Sequence, residues 1–137
     1  MKNAKTMTKR VLIVDDNEDN RKLLFFALMS GDYEIHQAES GQHVSDMLEK
    51  TRFDLALLDV ELPDIDGLKL AEQLHEKHPD TVVIMLSAND NVDRLQKARQ
   101  VGASAYIVKP FNLPKVLEFI RKFEGQTVTP DTEMQVL

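Results

Sequence analysis

Short unbroken apolar runs alternate along the chain with amphipathic segments of about ten to fifteen residues. The runs are Val11-Leu12-Ile13-Val14, Leu55-Ala56-Leu57-Leu58, Val82-Val83-Ile84-Met85-Leu86 and Ala105-Tyr106-Ile107-Val108, with a weaker one at Tyr33 to Ala38. Continuous rather than alternating apolarity marks strands buried on both faces, as in a parallel sheet covered by helices on each side. Between the runs the pattern predicts helices over about Glu18 to Met29, Gln42 to Lys50, Leu68 to His75, Val92 to Val101 and Leu113 to Phe123. Ser40, Asp90 and Asn112 stand where they can cap helix starts, and Pro114 suits a first turn. Gly31, Gly102 and Gly125 follow three of the helices where a left-handed residue is wanted. Five strands and five helices in strict alternation predict an α/β fold, an open doubly wound (βα)5 domain with a five-stranded parallel sheet. Residues 1 to 8 fall outside the pattern as a flexible N-terminus. Residues 125 to 137, polar and Pro-containing, read as a C-terminal tail or linker.

Composition narrows the classes. A chain of 137 residues, 42% hydrophobic and 29% charged, is an ordinary single globular domain with one core. The longest apolar run, Leu23 to Met29, falls far short of the roughly 18 residues a bilayer span needs, so no membrane insertion is expected. The basic start MKNAKTMTKR is followed only by the short run Val11 to Val14, too brief for a signal peptide, which predicts a cytoplasmic protein. With no cysteine, thiol catalysis, disulfides and thiolate metal sites are excluded. The net charge of −6 argues against direct nucleic-acid binding by phosphate neutralisation.

The residues that end the runs carry the chemistry. The first run ends in Asp15-Asp16, that at Leu55 in Asp59, that at Val82 in Ser87 and the last in Lys109-Pro110. In a parallel sheet all carboxyl ends share one edge, and ligands of open α/β sheets bind outside it, where the strand order reverses. Three carboxylates, a hydroxyl and an ammonium therefore converge. Clustered carboxylates repel unless a cation joins them, and hard oxygen ligands suit Mg²⁺, with Mn²⁺ as a substitute. A carboxylate beside such an ion can be a nucleophile towards phosphorus, giving an aspartyl phosphate. The chain has neither GxxxxGK[ST] nor GxGxxG, so ATP is not expected as the direct donor.

The stretches VLIVDDNEDNRKLL, LALLDVELPDIDGL, VIMLSAND and AYIVKPF, in this order and spacing, resemble the CheY-like receiver (REC) domain of two-component response regulators over about Lys9 to Glu124. The resemblance implies the flavodoxin-like strand order 2-1-3-4-5 and a phosphorylation-controlled signalling switch rather than an enzyme. By position, Asp59 matches the phosphoacceptor, which takes its phosphoryl group from a phosphohistidine on a sensor histidine kinase or histidine phosphotransfer protein. Asp15, Asp16, Asp59 and the backbone carbonyl of Glu61 match the Mg²⁺ ligands. Ser87 and Lys109 match the residues that contact the phosphoryl group, Ser87 and Tyr106 match the switch pair, and the Lys109-Pro110 bond should be cis. Output would use the face of the fourth helix, fifth strand and fifth helix, and phosphorylation-dependent dimerisation is compatible with it.

Other signals stay open. On a helical wheel Leu23, Leu24, Ala27 and Leu28 form a stripe that leaves Phe25 and Phe26 on either side. Either one packs beneath the last helix and the other is a tolerated surface aromatic, or the two form a docking patch for a helical partner. His75 and His78 with Glu72 read as a solvated helix end, and Arg94, Lys97 and Arg99 mostly as a solvated face. The chain is either a stand-alone receiver or the excised receiver of a longer regulator or hybrid kinase. A remote alternative is a Mg²⁺-dependent phosphatase of the haloacid dehalogenase type. Its DxDx[TV] run belongs on the first strand, where this chain has Asp15-Asp16-Asn17.

Overall fold

The computed structural model describes residues 8–122 and 134–137; the first seven residues, Gly125 and the segment 123–133 of the expected last helix and tail lie outside the described residues. In chain order the elements are β1 (Lys9–Val14), α1 (Glu18–Met29), β2 (Tyr33–Ala38), α2 (Gly41–Leu48), β3 (Leu55–Asp59), α3 (Gly67–Lys77), β4 (Val82–Ser87), α4 (Val92–Gln100), β5 (Ala105–Val108), α5 (Leu113–Arg121) and β6 (Gln135–Val136). Every pairing is parallel and the order is β2-β1-β3-β4-β5-β6. The expected 2-1-3-4-5 sheet is therefore present with a short sixth strand added at the β5 edge. That strand corrects the reading of the last residues as a linker or free end. Four residues are too few to show a period, and the unpaired backbone groups of β5 that receive them exist only once the sheet has formed.

Continuous apolarity in the runs serves two half-cores. Leu12, Val14, Ala56, Leu58, Val83, Met85 and Tyr106 pack with residues of α2, α3 and α4, while Val11, Ile13, Leu55, Leu57, Ile84, Leu86 and Ile107 pack with residues of α1 and α5. β2, at an edge, is only partly buried, which explains its weaker sequence signal.

Helix ends follow local chemistry with two corrections. Ser40 and Asn112 cap α2 and α5 as expected. α4 is capped by Asn91 rather than Asp90, because the helix begins at Val92 and the Asn91 side-chain oxygen sits over the Arg94 N–H (2.9 Å). Gly102 has the left-handed φ of 87°. Gly31 does not, since its N–H closes a tight turn onto the Leu28 carbonyl (3.1 Å). α1 is also rotated from the expected stripe. It buries Leu24 and Leu28, half-buries Phe25 and turns Leu23 outward, because it packs against α5 as well as the sheet.

The chain runs from β1 out to β2 and then crosses back to β3 on the other side of β1. The loops after β1 and β3 diverge there, opening a crevice at the carboxyl ends of both strands.

Candidate functional site

That crevice receives the residues that end the apolar runs. One local device sets three of them. Asp15 Oδ1 accepts the Asn17 N–H (2.9 Å), Asp59 Oδ1 accepts the Glu61 N–H (2.9 Å) and Ser87 Oγ accepts the Asn89 N–H (3.0 Å). Asp and Ser favour such turns, in which the side chain bonds the backbone two residues on as the chain leaves a strand. With Oδ1 occupied, Oδ2 of each aspartate is left for the crevice. Lys109 Nζ lies 2.9 Å from Asp15 Oδ2 and 3.1 Å from Asp59 Oδ2. Gly67 lets α3 begin hard against this strand end: a Cβ there would stand 1.9 Å from the Asp59 carbonyl oxygen. The Lys109–Pro110 bond is cis.

The crevice is short of positive charge. Burial pushes the Asp59 carboxyl up to about 7 and the Asp15 charge adds to this, while the Glu61 N–H and Lys109 oppose it only in part. Burial pulls the Lys109 ammonium down, but Asp15 and Asp59 outweigh it and hold Lys109 above its ordinary value. One ammonium thus serves two desolvated carboxylates. Asp15 Oδ2, fully buried, has this ion pair but accepts no aligned hydrogen bond. Carboxylate oxygens of Asp15, Asp16 and Asp59 all lie within 4.8 Å of one another. This all-oxygen donor set with an under-satisfied buried oxygen fits a hard divalent cation such as Mg²⁺.

Ser87 does not hydrogen-bond to Asp59. Its hydroxyl donates to Glu61 Oε1 (2.9 Å), and the same oxygen pairs with the Arg94 guanidinium, which also lies 3.4 Å from Ser87 Oγ. Burial pushes the Glu61 carboxyl up, but its hydrogen bonds with Asp59 and Ser87 and the Arg94 charge prevail and hold it below its ordinary range. Arg94 is the residue that sequence reasoning missed. Its pattern with Lys97 and Arg99 predicts a solvated face, yet it turns inward to Glu61. Capping of α4 by Asn91 carried the signal, since it puts Arg94 in the first turn, beside the crevice. Tyr106 is fully buried on the α4 side of the sheet, and its hydroxyl donates to the Asn89 carbonyl in the loop after Ser87.

The other candidates lie apart. Phe25 is half-buried against the α1 and α5 half-core and meets Phe26 edge-on, while Phe26 is 67% exposed and lines up with the exposed Leu23 and Met29. Among the described residues the acidic trio is the one cluster with metal-ligand geometry, so His75, His78 and Glu72 form none. Nor is any helix of the described residues long and apolar enough to cross a membrane.

Known proteins share this fold. Residues 11–121 match the family described as the response regulator receiver domain. The transcriptional regulatory protein SrrA of Staphylococcus aureus is 35% identical over 126 residues, which cover 89% of this chain and 52% of SrrA, so the chain spans about half the length of this curated relative. A CheY-like receiver domain protein of Methanospirillum hungatei superposes with a TM-score of 0.82 at 32% identity, over 86% of this chain and 94% of that one. The BeF3-activated receiver domain of DrrB superposes at 0.80 with 26% identity, over 88% of this chain and all of that one (100%). Over residues 11–121, nearly all of its described sheet and helices, the chain belongs to the family of response regulator receiver domains.

Proposed function

We propose that Asp59 is the phosphoacceptor of this switch and that a phosphohistidine on a sensor histidine kinase or phosphotransfer protein is its donor. The observation that carries the reading is the placing of Asp59 Oδ2 in the crevice beside Asp15 and Lys109 while Oδ1 is held by its own turn. A carboxylate oxygen of Asp59 attacks phosphorus, the P–N bond breaks, and its electron pair returns to the donor imidazole. Asp15, Asp16, Asp59 and the Glu61 carbonyl would hold Mg²⁺, which when bound supplies positive charge against the oxygens of the transferring group. Lys109 trades its bond with Asp59 for a phosphoryl oxygen. Ser87 leaves Glu61 and turns towards the phosphoryl group, and Tyr106, tied to the loop after Ser87, carries the change to the face of α4, β5 and α5, where the output partner docks. Such switching is a shift between two states, driven by contacts made in one and not the other.

Leu23, Phe26 and Met29, three residues apart, form an exposed apolar strip along α1, the helix whose first turn follows the crevice, and suit an apolar helical donor surface. Phe26→Asp should therefore slow transfer from the donor protein and leave labelling by a small phosphodonor unchanged.

The reading is tested by incubating the chain with Mg²⁺ and acetyl phosphate and mapping the product by mass spectrometry. One acid-labile phosphoryl group on Asp59 is expected; stoichiometric labelling elsewhere would overturn the assignment.

A further inference from the structure

The short strand β6 is the feature that the switch does not absorb. The Gln135 N–H donates to the Ser104 carbonyl (3.1 Å), the Leu137 N–H to the Tyr106 carbonyl (2.8 Å), and the Val108 N–H to the Leu137 carbonyl oxygen (2.9 Å). The register sets Gln135 beside Ala105 and Val136 beside Tyr106. Side chains alternate along a strand, so Met134 and Val136 share the face of Tyr106, and Gln135 and Leu137 the opposite one. Met134 is only 6% exposed and belongs to the half-core that contains Tyr106, Ala103 and Ala98, with Leu95 packed against it. Leu137 packs against the half-core of α1 and α5. The segment therefore grips the β5 edge from both sides, one apolar side chain between β5 and α4 and another on the α5 side, between helices that flank the proposed output face.

The geometry points to the edge of β5 as a binding surface for an extended peptide that runs parallel to β5 and carries an apolar-x-x-apolar pattern, occupied in this chain by its own Met134–Leu137. The inference rests on the receiver reading only for its link to phosphorylation. Main-chain bonds to a sheet edge supply affinity without choosing a sequence, and the Met134 and Leu137 sites supply the choice. Two paired residues and one deeply buried anchor make a weak strand, at the low-stability end of local opening. The seat is thus displaceable, and the tethered segment competes with any output partner that reads β5. Because the occupant bonds to the Tyr106 carbonyl and its Met134 packs on the face that holds the Tyr106 ring, occupancy and the state of that ring are coupled. By reciprocity, phosphorylation must then change the affinity of the seat.

The test uses the full chain, its Met134→Asp and Leu137→Asp variants, and a fluorescent peptide, DTEMQVL, corresponding to residues 131–137. A tethered segment competes at an effective concentration near the millimolar range. The peptide should therefore bind either variant at least tenfold more tightly than the wild type, and a peptide with Asp in place of Met should bind neither. Amide exchange at Val108 should be faster in the variants and slow again on adding the peptide. Mg²⁺ with beryllofluoride should change the peptide Kd of the Leu137→Asp chain at least threefold. Equal peptide affinity for wild type and variants, or unchanged Val108 exchange, overturns the proposal. Peptide affinity that ignores beryllofluoride, while ¹⁹F NMR shows beryllofluoride bound at Asp59, overturns the coupling and leaves the receiver reading intact. Failure of beryllofluoride to bind overturns that reading, and the peptide titration still decides the seat.

Discussion

β3 has an aspartate at each end, and the two behave as different chemical objects. Asp54, just before the strand, is exposed, and its carboxylate accepts the Arg10 N–H (2.8 Å) at the amino edge of the sheet. Around it the charges pair in solvent, as Arg10 with Glu34 (2.8 Å) and Arg52 with Asp80 (3.4 Å). Such exposed pairs contribute about 0–1 kcal/mol and carry no chemistry. Asp59, the last residue of the same strand, is 1% exposed, crowded by Asp15 and shares one ammonium with it. The difference teaches that burial and neighbours, set by which end of a parallel sheet a residue occupies, give the same side chain a different proton affinity and different partners.

The comparison breaks most visibly in phosphorylation. Asp59→Asn should lower Mg²⁺-dependent labelling by a small phosphodonor at least a thousandfold, since an amide is a poor nucleophile, while Asp54→Asn stays within about twofold of wild type. Loss of labelling in Asp54→Asn would reverse the roles assigned to the two ends.

Stability against pH is the second test. In the metal-free fold Asp59 takes up its proton near 7, above the ordinary value of 3.8, so folding disfavours its charged form. Between those values the native state holds the extra proton and stability falls as pH rises; above 7 the penalty is fully present, and below about 4 it is gone. Removing the charge with Asp59→Asn should stabilise the metal-free chain by an amount on the order of 2–4 kcal/mol at pH 8, with the gap closing towards pH 4. Urea melts across that range measure it, and a gap that widens on acidification would show the opposite shift.

Metal affinity sharpens the account of the crevice. Asp15→Ala with Asp16→Ala should weaken Mg²⁺ binding at least tenfold by calorimetry, whereas Lys109→Ala should tighten it severalfold, because the ammonium and the ion compete for the same two oxygens. Weaker binding after loss of Lys109 would mean that the lysine positions the acids rather than competing for them.

The smallest effect concerns Ser87. In Glu61→Ala the hydroxyl loses its resting partner and is free for the phosphoryl group, and in Arg94→Ala the brace behind Glu61 is gone. Phosphoryl half-times should shift about two- to fivefold in both variants, in the same direction, at matched Mg²⁺. Half-times within 1.5-fold of wild type, an energy of only about 0.2 kcal/mol, would make the brace incidental.

What could be read from the residues alone is what is local or periodic. The continuous runs at Val11, Leu55, Val82 and Ala105 declare strands buried on both faces, and parallel strands align their carboxyl ends, so the meeting of Asp15, Asp16, Asp59, Ser87 and Lys109 at one edge followed without coordinates. Caps at Ser40 and Asn112 were legible because the side chain bonds within its own turn. Contacts between elements distant in sequence were not. The turning of α1 to half-bury Phe25 and expose Leu23 depends on α5 lying beside it, and Arg94 joins Glu61 and Ser87 only because α4 starts at Val92 over the end of β4. The seat of Met134 and Leu137 required β5 to lie beyond β4 with backbone groups open to pairing and a half-core on each face. Sequence fixes periodicity and the chemistry of strand ends, because these rest on neighbours a few residues away; tertiary structure decides which face turns inward and what fills an edge, because those depend on surfaces that exist only after the chain has folded.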